Sequence, residues 1–400
     1  MSPRATAAIT GMADSVLGTV AHTPIQTAVE VARAAVADAG LRLADVDGLI
    51  SLGVLAAENG RDVHRHHVRL AEQLGLGPLR YAGTSKLGSG AVGETLREVG
   101  LLAAAGIVKN VLVVGADSLR TGLGRDNAQA AWMDFHDQEL EGPYGHTAPS
   151  TWATHAQRYA HRFGWDADRL DTAMSEVAVS ARKWAVRNPA SARDDELTVE
   201  QVRASKMVSD PLRIMHCSRA IDGGSALVVS AADAVDAGRR DRAVWVTGTG
   251  TRYGYYFFSA YGDITDAVHE FSSASISEAY DQSGLGPSDM DVVYPYDGFA
   301  IMPLMLLEAG GFAERGRAVE LYESGATSPG GPLPCNTHGG SLNHGLPAFP
   351  AVLFPTTEAV RQLRGEADGR QVPEARNALV HAWSGVGAIN ATFVLSREQL

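Results

Sequence analysis

The chain carries an internal repeat, and this repeat constrains the fold more than any other feature of the sequence. Residues 39–47 (Ala-Gly-Leu-Arg-Leu-Ala-Asp-Val-Asp) return as residues 283–291 (Ser-Gly-Leu-Gly-Pro-Ser-Asp-Met-Asp), an offset of 284 − 40 = 244 positions. Each copy follows a predicted amphipathic helix and precedes an apolar run. Two copies are too few for a solenoid, which needs about three repeats or more. We therefore expect two similar halves packed face to face, with a site between them that draws residues from both.

Strands and helices alternate along both halves, which predicts an α/β fold with a mostly parallel sheet. The segment 79–86 makes a poor strand, whereas 118–208 reads as a largely helical insertion in the first half. The connector 238–241 divides the chain into predicted halves 1–238 and 239–400. The strands are expected over residues 7–11, 47–51, 111–115, 226–230, 244–247 and 378–381, and the clearest helices over 27–39, 94–105 and 170–188.

Composition excludes several classes of protein. The net charge of −12 argues against nucleic-acid binding, which needs a basic face. Two cysteines, Cys217 and Cys335, give neither a disulfide framework nor a zinc pattern, so a reducing cytoplasm fits best. The start lacks the apolar run of a signal peptide, and the most membrane-like stretch, 101–116, is too short to span a bilayer. No metal site is expected either, because the histidine-rich segment 64–67 has no carboxylate or cysteine at ligand spacing.

Two glycine-rich segments are candidates for a site. Residues 88–93 fit the pattern G-x-G-x-x-G before a helix, which is the outline of a dinucleotide fingerprint. The poor strand before them favours two other interpretations: glycines for close packing, or a helix start whose amides face an anionic or carbonyl oxygen. Residues 336–347 hold two histidines, two asparagines and three glycines. With 296–299 and 383–387, this segment forms three loops that each follow a strand and should gather at one sheet edge.

The order of these motifs resembles the thiolase superfamily, in particular its lipid-transfer-protein or sterol-carrier type. The resemblance runs nearly end to end and implies a five-layered αβαβα fold with duplicated halves, a homodimer, and coenzyme A thioesters as substrates without a covalently bound cofactor. It rests on the glycine-rich helix start, Asn188-Pro189, and the segments 222–226, 296–299 and 336–340.

The departures from that superfamily bear on the chemistry. Its members attack with a cysteine at the helix start, but residues 88–93 contain none, and Ser89 without a paired base is a poor nucleophile. Gly-Leu-Pro at 345–347 replaces Gly-His-Pro, and 382–387 lack the second cysteine. Cys217 and Cys335 stand at neither position and are interpreted as small buried apolar residues. Thiolysis through an acyl-cysteine is therefore not expected.

The pattern is most similar to the steroid side-chain aldolase branch, which carries Tyr-Asp where other members carry His-Asp. The resemblance implies retro-aldol cleavage of a bulky 3-hydroxyacyl-CoA, with Tyr296 accepting or relaying the hydroxyl proton and loop amides stabilising the enolate. The branch's second tyrosine corresponds to Leu346, so His344 or His338 could act as base instead. Each of these residues could also be structural: a core tyrosine, or loop histidines bonded to the backbone.

We therefore predict a carbon–carbon bond enzyme acting on acyl-CoA. The resemblance further suggests a small OB-fold and zinc-ribbon partner, which would carry any metal. A Claisen-type acyltransferase and a degenerate, non-catalytic acyl-CoA-binding scaffold are the alternatives; a nicotinamide enzyme ranks below both. The predicted catalytic residues are Tyr296, Asp297, His338 and His344, and the predicted contacts to coenzyme A are Ser89, Gly90, Gly339, Gly340, Gly385 and Gly387.

Overall fold

The computed structural model describes residues 5–18, 22–54, 65–123, 137, 139–191, 193, 195–254, 262–385 and 387–400. Its strands are β1 (Ala7–Asp14), β2 (Gly48–Leu52), β3 (Tyr81–Ser85), β4 (Asn110–Ser118), β5 (Met207–Ser209), β6 (Leu212–Arg213), β7 (Asp222–Ala231), β8 (Val244–Tyr253), β9 (Val292–Pro295), β10 (Asn377–Ser384) and β11 (Ile389–Ser396). Its α-helices are α1 (Pro24–Asp38), α2 (His66–Leu74), α3 (Ala91–Ala104), α4 (Ala148–Phe163), α5 (Ala167–Ala185), α6 (Val199–Arg203), α7 (Ile264–Ser283), α8 (Ile301–Ala309), α9 (Val319–Glu323) and α10 (Leu353–Arg364).

The strand order repeats on the two sides of one junction. Nine strands form a mixed sheet in the order β3-β2-β4-β7-β1-β8-β11-β10-β9, and β1 meets β8 at only two residue pairs. Outward from that junction, β1, β7, β4 and β2 of the first half correspond to β8, β11, β10 and β9 of the second. Both sides pair their outer strands in parallel and the next pair antiparallel. An isolated parallel bridge between Val293 and Cys335 corresponds to the β2–β3 pairing.

The helices pack in layers on the two parts of this sheet. Helices α1 and α2 bury their apolar faces against one side of the first half, for example through Val31 and Leu70. Helices α4, α5, α7 and α8 cover the far side of the second half. Helices α3 and α10 form the middle layer, where Leu96 and Val360 pack with strand residues of both halves. This is the αβαβα order, and the predicted fold class is confirmed.

The repeated sequence encodes the same hydrogen-bonded clamp in both halves. The Asp47 carboxylate accepts the backbone N–H groups of Lys109 and Asn110, each at 2.9 Å. The Asp291 carboxylate accepts those of Arg376 and Asn377 at 2.8 and 2.9 Å. Each clamp ties the start of one parallel strand to the start of its neighbour, which explains why the final aspartate of the repeat is present in both copies.

The structure differs from the predictions in several places. The nine-stranded sheet is mixed rather than mostly parallel: among its described strands, five pairings are antiparallel and three are parallel. Helix α1 begins three residues before its predicted start. Residues 79–86 do contain a strand, β3, at the edge of the sheet. Helix α5 lies three residues earlier than predicted, and α3 begins at Ala91 because its glycines belong to the helix start. The division of the chain at residue 238 stays a prediction; it falls in the 3₁₀ turn Ala237–Arg242 before β8. Among the described residues, no helix combines the length and the apolar composition required to cross a bilayer.

Candidate active site

A cavity of about 230 Å³ is lined by residues from both halves and from the helical insertion. Ser89, in the turn before α3, comes from the first half. Tyr296 follows β9 and Ser384 ends β10, so the second half supplies two further polar groups. Trp152 reaches the cavity from α4. The loops after β9 and β10 and the segment around Leu346 meet here, as the sequence predicts for loops that follow strands of one sheet.

The glycines near Ser89 allow α3 to approach the second half closely. A Cβ atom on Gly90 would lie 3.0 Å from Cγ2 of Ile389, and one on Gly93 would lie 2.8 Å from Cβ of Ala391. Both neighbours belong to β11, so these glycines serve the packing of α3 on that strand. Of the two predicted contacts in this segment, Ser89 lines the cavity and Gly90 is buried beside Ile389.

The Tyr296 hydroxyl is the titratable group at the polar end of the cavity. Burial raises the pKa of Tyr296 to about 12, although a hydrogen bond with the Ser89 side chain opposes this shift by favouring the phenolate. The charge of Asp297 raises the pKa further. The phenol therefore keeps its proton near neutral pH, and it presents both a donor and an acceptor to a ligand.

Asp297 supports the neighbouring loop from outside the cavity. Its Oδ1 accepts the N–H of Ser341 at 2.7 Å, and its Oδ2 accepts that of Leu342 at 3.3 Å. Burial raises the pKa of Asp297 to about 6, against the opposing effect of these two bonds. The carboxylate thus holds the turn Gly340–His344 in place.

The two predicted histidine bases lie away from Tyr296. His338 and His344 line a second cavity, of about 450 Å³, and neither lines the first. The side-chain amide of Asn188 donates to the carbonyl of His338 at 2.9 Å and lies 3.3 Å from Nδ1 of His344. Burial lowers the pKa of His344 to about 4 and that of His338 well below its ordinary value, so both rings are neutral. Their role as bases stays a prediction, because they and Tyr296 line different cavities.

Of the four remaining predicted contacts to coenzyme A, one lines the cavity and three do not. Gly385, with a φ of +54°, lines the cavity beside Ser384. Gly387 does not line it, and a Cβ there would lie 3.1 Å from Val268. Gly339 packs on Ala185 of α5, and a side chain on Gly340 would collide with the carboxylate of Asp297. Three of these four glycines therefore serve close packing around the site.

The rest of the cavity is an aromatic and apolar wall. Trp152 stacks on Trp383 with ring centroids 5.4 Å apart and planes 7° from parallel. Phe299 also stacks on Trp152, with ring centroids 6.2 Å apart. Met302 and Leu346 complete the apolar surface. The indole N–H of Trp383 is bound to Ser272 at 2.7 Å, so its ring is held in position. Such a wall suits a flat apolar acyl group.

One cysteine reaches the cavity, contrary to its interpretation as buried packing. Cys217 lines the wall, and its Sγ donates to the carbonyl of Arg213 at 3.4 Å. Burial raises the pKa of the Cys217 thiol to about 12, which keeps it protonated and a poor nucleophile. Cys335 is buried beside β9, and burial also raises the pKa of its thiol.

Residues that sequence reasoning missed reach the cavity through tertiary packing. Trp152 stands in the insertion, more than a hundred residues from any loop of the second half, and no local pattern marks it. Ser384 lies inside the segment 383–387 but carries no signal of its own. Across the described ranges, no three metal-binding side chains converge. His66 and His67 bond to Ser51 and Thr84, whereas His64 lies outside the described residues.

Comparison with known proteins places the chain among enzymes of acyl-CoA metabolism. The family description "Thiolase C-terminal domain-like" matches residues 256–397. The chain is 32% identical to a steroid side-chain-cleaving aldolase of Thermomonospora curvata, over 90% of each chain. It is 31% identical to an acetyl-CoA acetyltransferase of Methanothermobacter thermautotrophicus, over 92% of this chain and 93% of the other. A solved structure named Ltp2-ChsH2(DUF35) aldolase superposes with a TM-score of 0.82 at 29% identity, covering 98% of this chain and 97% of that one.

Proposed function

The chain belongs to the thiolase superfamily and is an acyl-CoA carbon–carbon bond enzyme, and from this premise we propose that Tyr296 carries out retro-aldol cleavage of a bulky 3-hydroxyacyl-CoA. The observation that carries this proposal is a protonated phenol in an apolar cavity whose one thiol is also protonated. A retro-aldol step needs proton transfer and enolate stabilisation but no covalent nucleophile. The name of the relative from Thermomonospora curvata agrees with such a reaction.

The high pKa of Tyr296 favours a relay over simple base catalysis. The phenol oxygen accepts the proton of the β-hydroxyl while the Cα–Cβ bond breaks and a carbonyl forms at Cβ. The electron pair of the broken bond passes into the thioester enolate. The phenol's own proton then moves to the α-carbon of that enolate. Ketone or aldehyde and a shortened acyl-CoA leave with all atoms accounted for. The backbone N–H groups of Ser89 and Gly90, in the 3₁₀ turn that leads into α3, are suited to stabilise the thioester oxygen.

Replacement of Tyr296 by phenylalanine tests this proposal. Tyr296→Phe keeps the ring and removes the relay, so kcat should fall about 10²–10⁴-fold, while binding of the acyl-CoA is retained. The matched control is Tyr280→Phe. It removes from α7 a hydroxyl that donates to the carbonyl of Gly310, and Tyr280 does not line the cavity. Products are followed by mass spectrometry with branched and steroidal 3-hydroxyacyl-CoA thioesters, without free coenzyme A. Full activity of Tyr296→Phe would refute the relay.

An acyltransferase of the Claisen type is the second candidate, because the chain is also 31% identical to an acetyl-CoA acetyltransferase. The two reactions differ in their need for free coenzyme A. Cleavage that appears only when coenzyme A is added would favour the acyltransferase and would require a thiol nucleophile. Cys217→Ser would then abolish turnover, whereas the aldolase proposal expects that variant to remain active. Binding of acyl-CoA without any turnover would point to a scaffold.

We further propose that the enzyme works with a small OB-fold and zinc-ribbon partner and forms a cytoplasmic homodimer. The partner is suggested by the solved aldolase, which is named together with ChsH2(DUF35). The dimer is suggested by β3, an edge strand of the nine-stranded sheet that is only partly covered. An uncovered edge strand presents unpaired N–H and C=O groups, and pairing with a second copy would satisfy them. Activity measured with and without a co-expressed partner tests the first of these proposals.

A further inference from the structure

The size of the active-site cavity limits the acyl groups that it accepts. Its volume is about 230 Å³. A protein cavity of about 150 Å³ already encloses one benzene molecule, whereas pockets for drug-sized ligands measure roughly 300–1,000 Å³. Part of the space must also hold the β-hydroxyl group and the thioester, because these groups react beside Tyr296. The remaining space accommodates one six-membered ring, and the four fused rings of a steroid exceed it.

The chemistry of the cavity lining selects an uncharged aromatic group. Among the described residues, no charged side chain lines the cavity, and five lining residues carry aromatic rings: Trp152, Tyr296, Phe299, Phe349 and Trp383. Aromatic rings in offset-stacked or edge-to-face contact gain more than the apolar area that they bury. An aryl group among these rings therefore binds more tightly than an aliphatic group of the same size. A charged acyl group would lose its hydration without gaining a partner.

The aromatic part of the wall is held in place by contacts outside the cavity. The indole of Trp383 donates to Ser272, which fixes the plane of that ring. Trp152 stacks on both Trp383 and His155, with ring centroids 5.4 and 4.4 Å apart. To admit a larger ligand, the two indoles would have to separate and lose these contacts. The cavity is therefore preformed at its observed size, as is usual for small-molecule sites.

Backbone hydrogen bonds fix the part of the wall that carries Phe299. The N–H of Ser218 donates to the carbonyl of Gly298, and the N–H of Ala300 donates to the carbonyl of His216, each at 2.9 Å. These two bonds tie the segment 216–218 to the segment 298–300. The wall is thus fixed in its main chain as well as in its rings.

On helix α8, one methionine lines the cavity and a second one nearby does not. Met302 and Met305 are both 3% exposed, but only Met302 is part of the cavity lining. The Sδ atom of Met302 accepts the backbone N–H of Phe299 at 3.4 Å, so its side chain is held against the aromatic wall. The two methionines therefore form a matched pair: truncation of Met302 widens the cavity, and truncation of Met305 perturbs only the core.

We propose that the substrate is a 3-hydroxyacyl-CoA whose β-carbon carries a single aryl ring rather than a fused ring system. The reaction rests on the proposed function, whereas the choice of ring rests on the cavity alone. Cleavage breaks the Cα–Cβ bond, and the carbon that carries the ring becomes the carbonyl of an aryl aldehyde or ketone. The α-carbon gains a proton by way of Tyr296 and leaves as a shortened acyl-CoA.

Binding of acyl-CoA analogues that lack the β-hydroxyl tests the choice of ring without turnover. By isothermal titration calorimetry on the full chain, 3-phenylpropionyl-CoA should bind at least about tenfold more tightly than a steroidal acyl-CoA. It should bind about threefold more tightly than 3-cyclohexylpropionyl-CoA. All three compounds share coenzyme A, so the differences report the acyl group. The proposal is overturned if the phenyl compound does not bind, or if either of the other two binds as tightly.

The methionine pair shows whether the cavity wall makes this selection. Met302→Ala should reduce the preference for the phenyl over the steroidal compound about tenfold, while Met305→Ala should keep the preference of the wild type. An equal change in both variants, or no change in Met302→Ala, would contradict selection by the wall. If Met302→Ala does not fold, the comparison of the three compounds on the wild type still decides.

Turnover then separates this proposal from the aldolase proposal. Without free coenzyme A, 3-hydroxy-3-phenylpropionyl-CoA should yield benzaldehyde and acetyl-CoA, with a kcat/KM at least about tenfold above that of a steroidal 3-hydroxyacyl-CoA. Selective binding of the phenyl compound without cleavage of any thioester, even with the proposed partner present, would support the choice of ring and refute the aldolase. Cleavage that favours the steroidal substrate would support the aldolase and overturn the choice of ring.

Discussion

At the scale of single residues, Asp297 links the stability of the site to pH. Its pKa of about 6 lies above the value of an exposed aspartate because burial disfavours the charged form. Between about pH 4 and pH 6 the folded state therefore binds more protons than the unfolded state, and stability must fall as the pH rises through this window. A pKa shift from 3.8 to about 6 corresponds to a loss of about 3 kcal/mol in unfolding free energy across this pH window.

Asp297→Asn removes the titration and provides the comparison. The difference in unfolding free energy, wild type minus variant, should decrease by about 2–3 kcal/mol from pH 4 to pH 6.5. Urea unfolding at closely spaced pH values measures it. A difference that stays constant with pH would show that the carboxyl group does not titrate in this window. Above pH 6.5 the two oxygens of the wild-type carboxylate still accept the N–H groups of Ser341 and Leu342. The side chain of asparagine has only one oxygen to accept these two N–H groups.

Gly340 and Gly365 form a matched pair for the cost of a side chain. Both have a left-handed φ, of +63° and +75°, so alanine is strained at either position by about 1 kcal/mol. Only at Gly340 would the new Cβ also collide with the Asp297 carboxylate, whereas nothing lies within 4 Å at Gly365. We expect Gly340→Ala to cost about 3 kcal/mol or more and Gly365→Ala about 1 kcal/mol. Equal losses in chemical denaturation would show that the Gly340 turn relaxes freely.

At the scale of secondary-structure elements, β3 gives the test of the proposed dimer. Ala82 is exposed in the middle of this edge strand. A lysine at position 82 would place a charge on this edge strand, and such a charge opposes pairing with a second copy. Ala82→Lys is therefore expected to sediment as a monomer at micromolar concentration, while the wild type and Ala104→Lys, an exposed alanine on α3, sediment as dimers. A monomeric wild type, or a dimeric Ala82→Lys, would rule out this interface.

The elements predicted well from sequence are those whose own residues are buried. Strand β4 is buried at every position and follows from a continuous apolar run. Strand β3 was missed because Ala82, Gly83 and Thr84 contribute little apolar burial, and its existence depends on hydrogen bonds to β2. Sequence cannot supply that information, because the pairing partner lies more than thirty residues away.

The candidate site was predictable in its loops but not in the direction of each side chain. Tyr296 and Ser89 meet in one cavity because both follow strands of packed halves. His344 stands two residues before Leu346, yet the two side chains line different cavities. Gly345 stands between them, and its φ of +125° turns the chain so that the two side chains point to different sides. A single glycine in a loop does not reveal the direction of that turn from sequence.

At the scale of the whole molecule, the middle helical layer makes the two halves depend on one another. Helices α3 and α10 bury residues among strands of both halves, so neither half can keep its core when the other unfolds. The repeated clamps at Asp47 and Asp291 stand in separate halves, on the entries to strands at opposite ends of the sheet. They therefore offer two equivalent and distant perturbations of one structure.

Substitutions of the two clamp aspartates test whether the duplicated molecule unfolds as one unit. Asp47→Ala and Asp291→Ala each leave two backbone N–H groups without their carboxylate, at a cost of about 1–2 kcal/mol. Because the sites are distant, the losses in the double variant should add within about 0.5 kcal/mol, and all variants should shift one common urea transition. Two separate transitions, each moved by only one of the substitutions, would mean that the halves unfold independently and that the α3–α10 layer does not couple them.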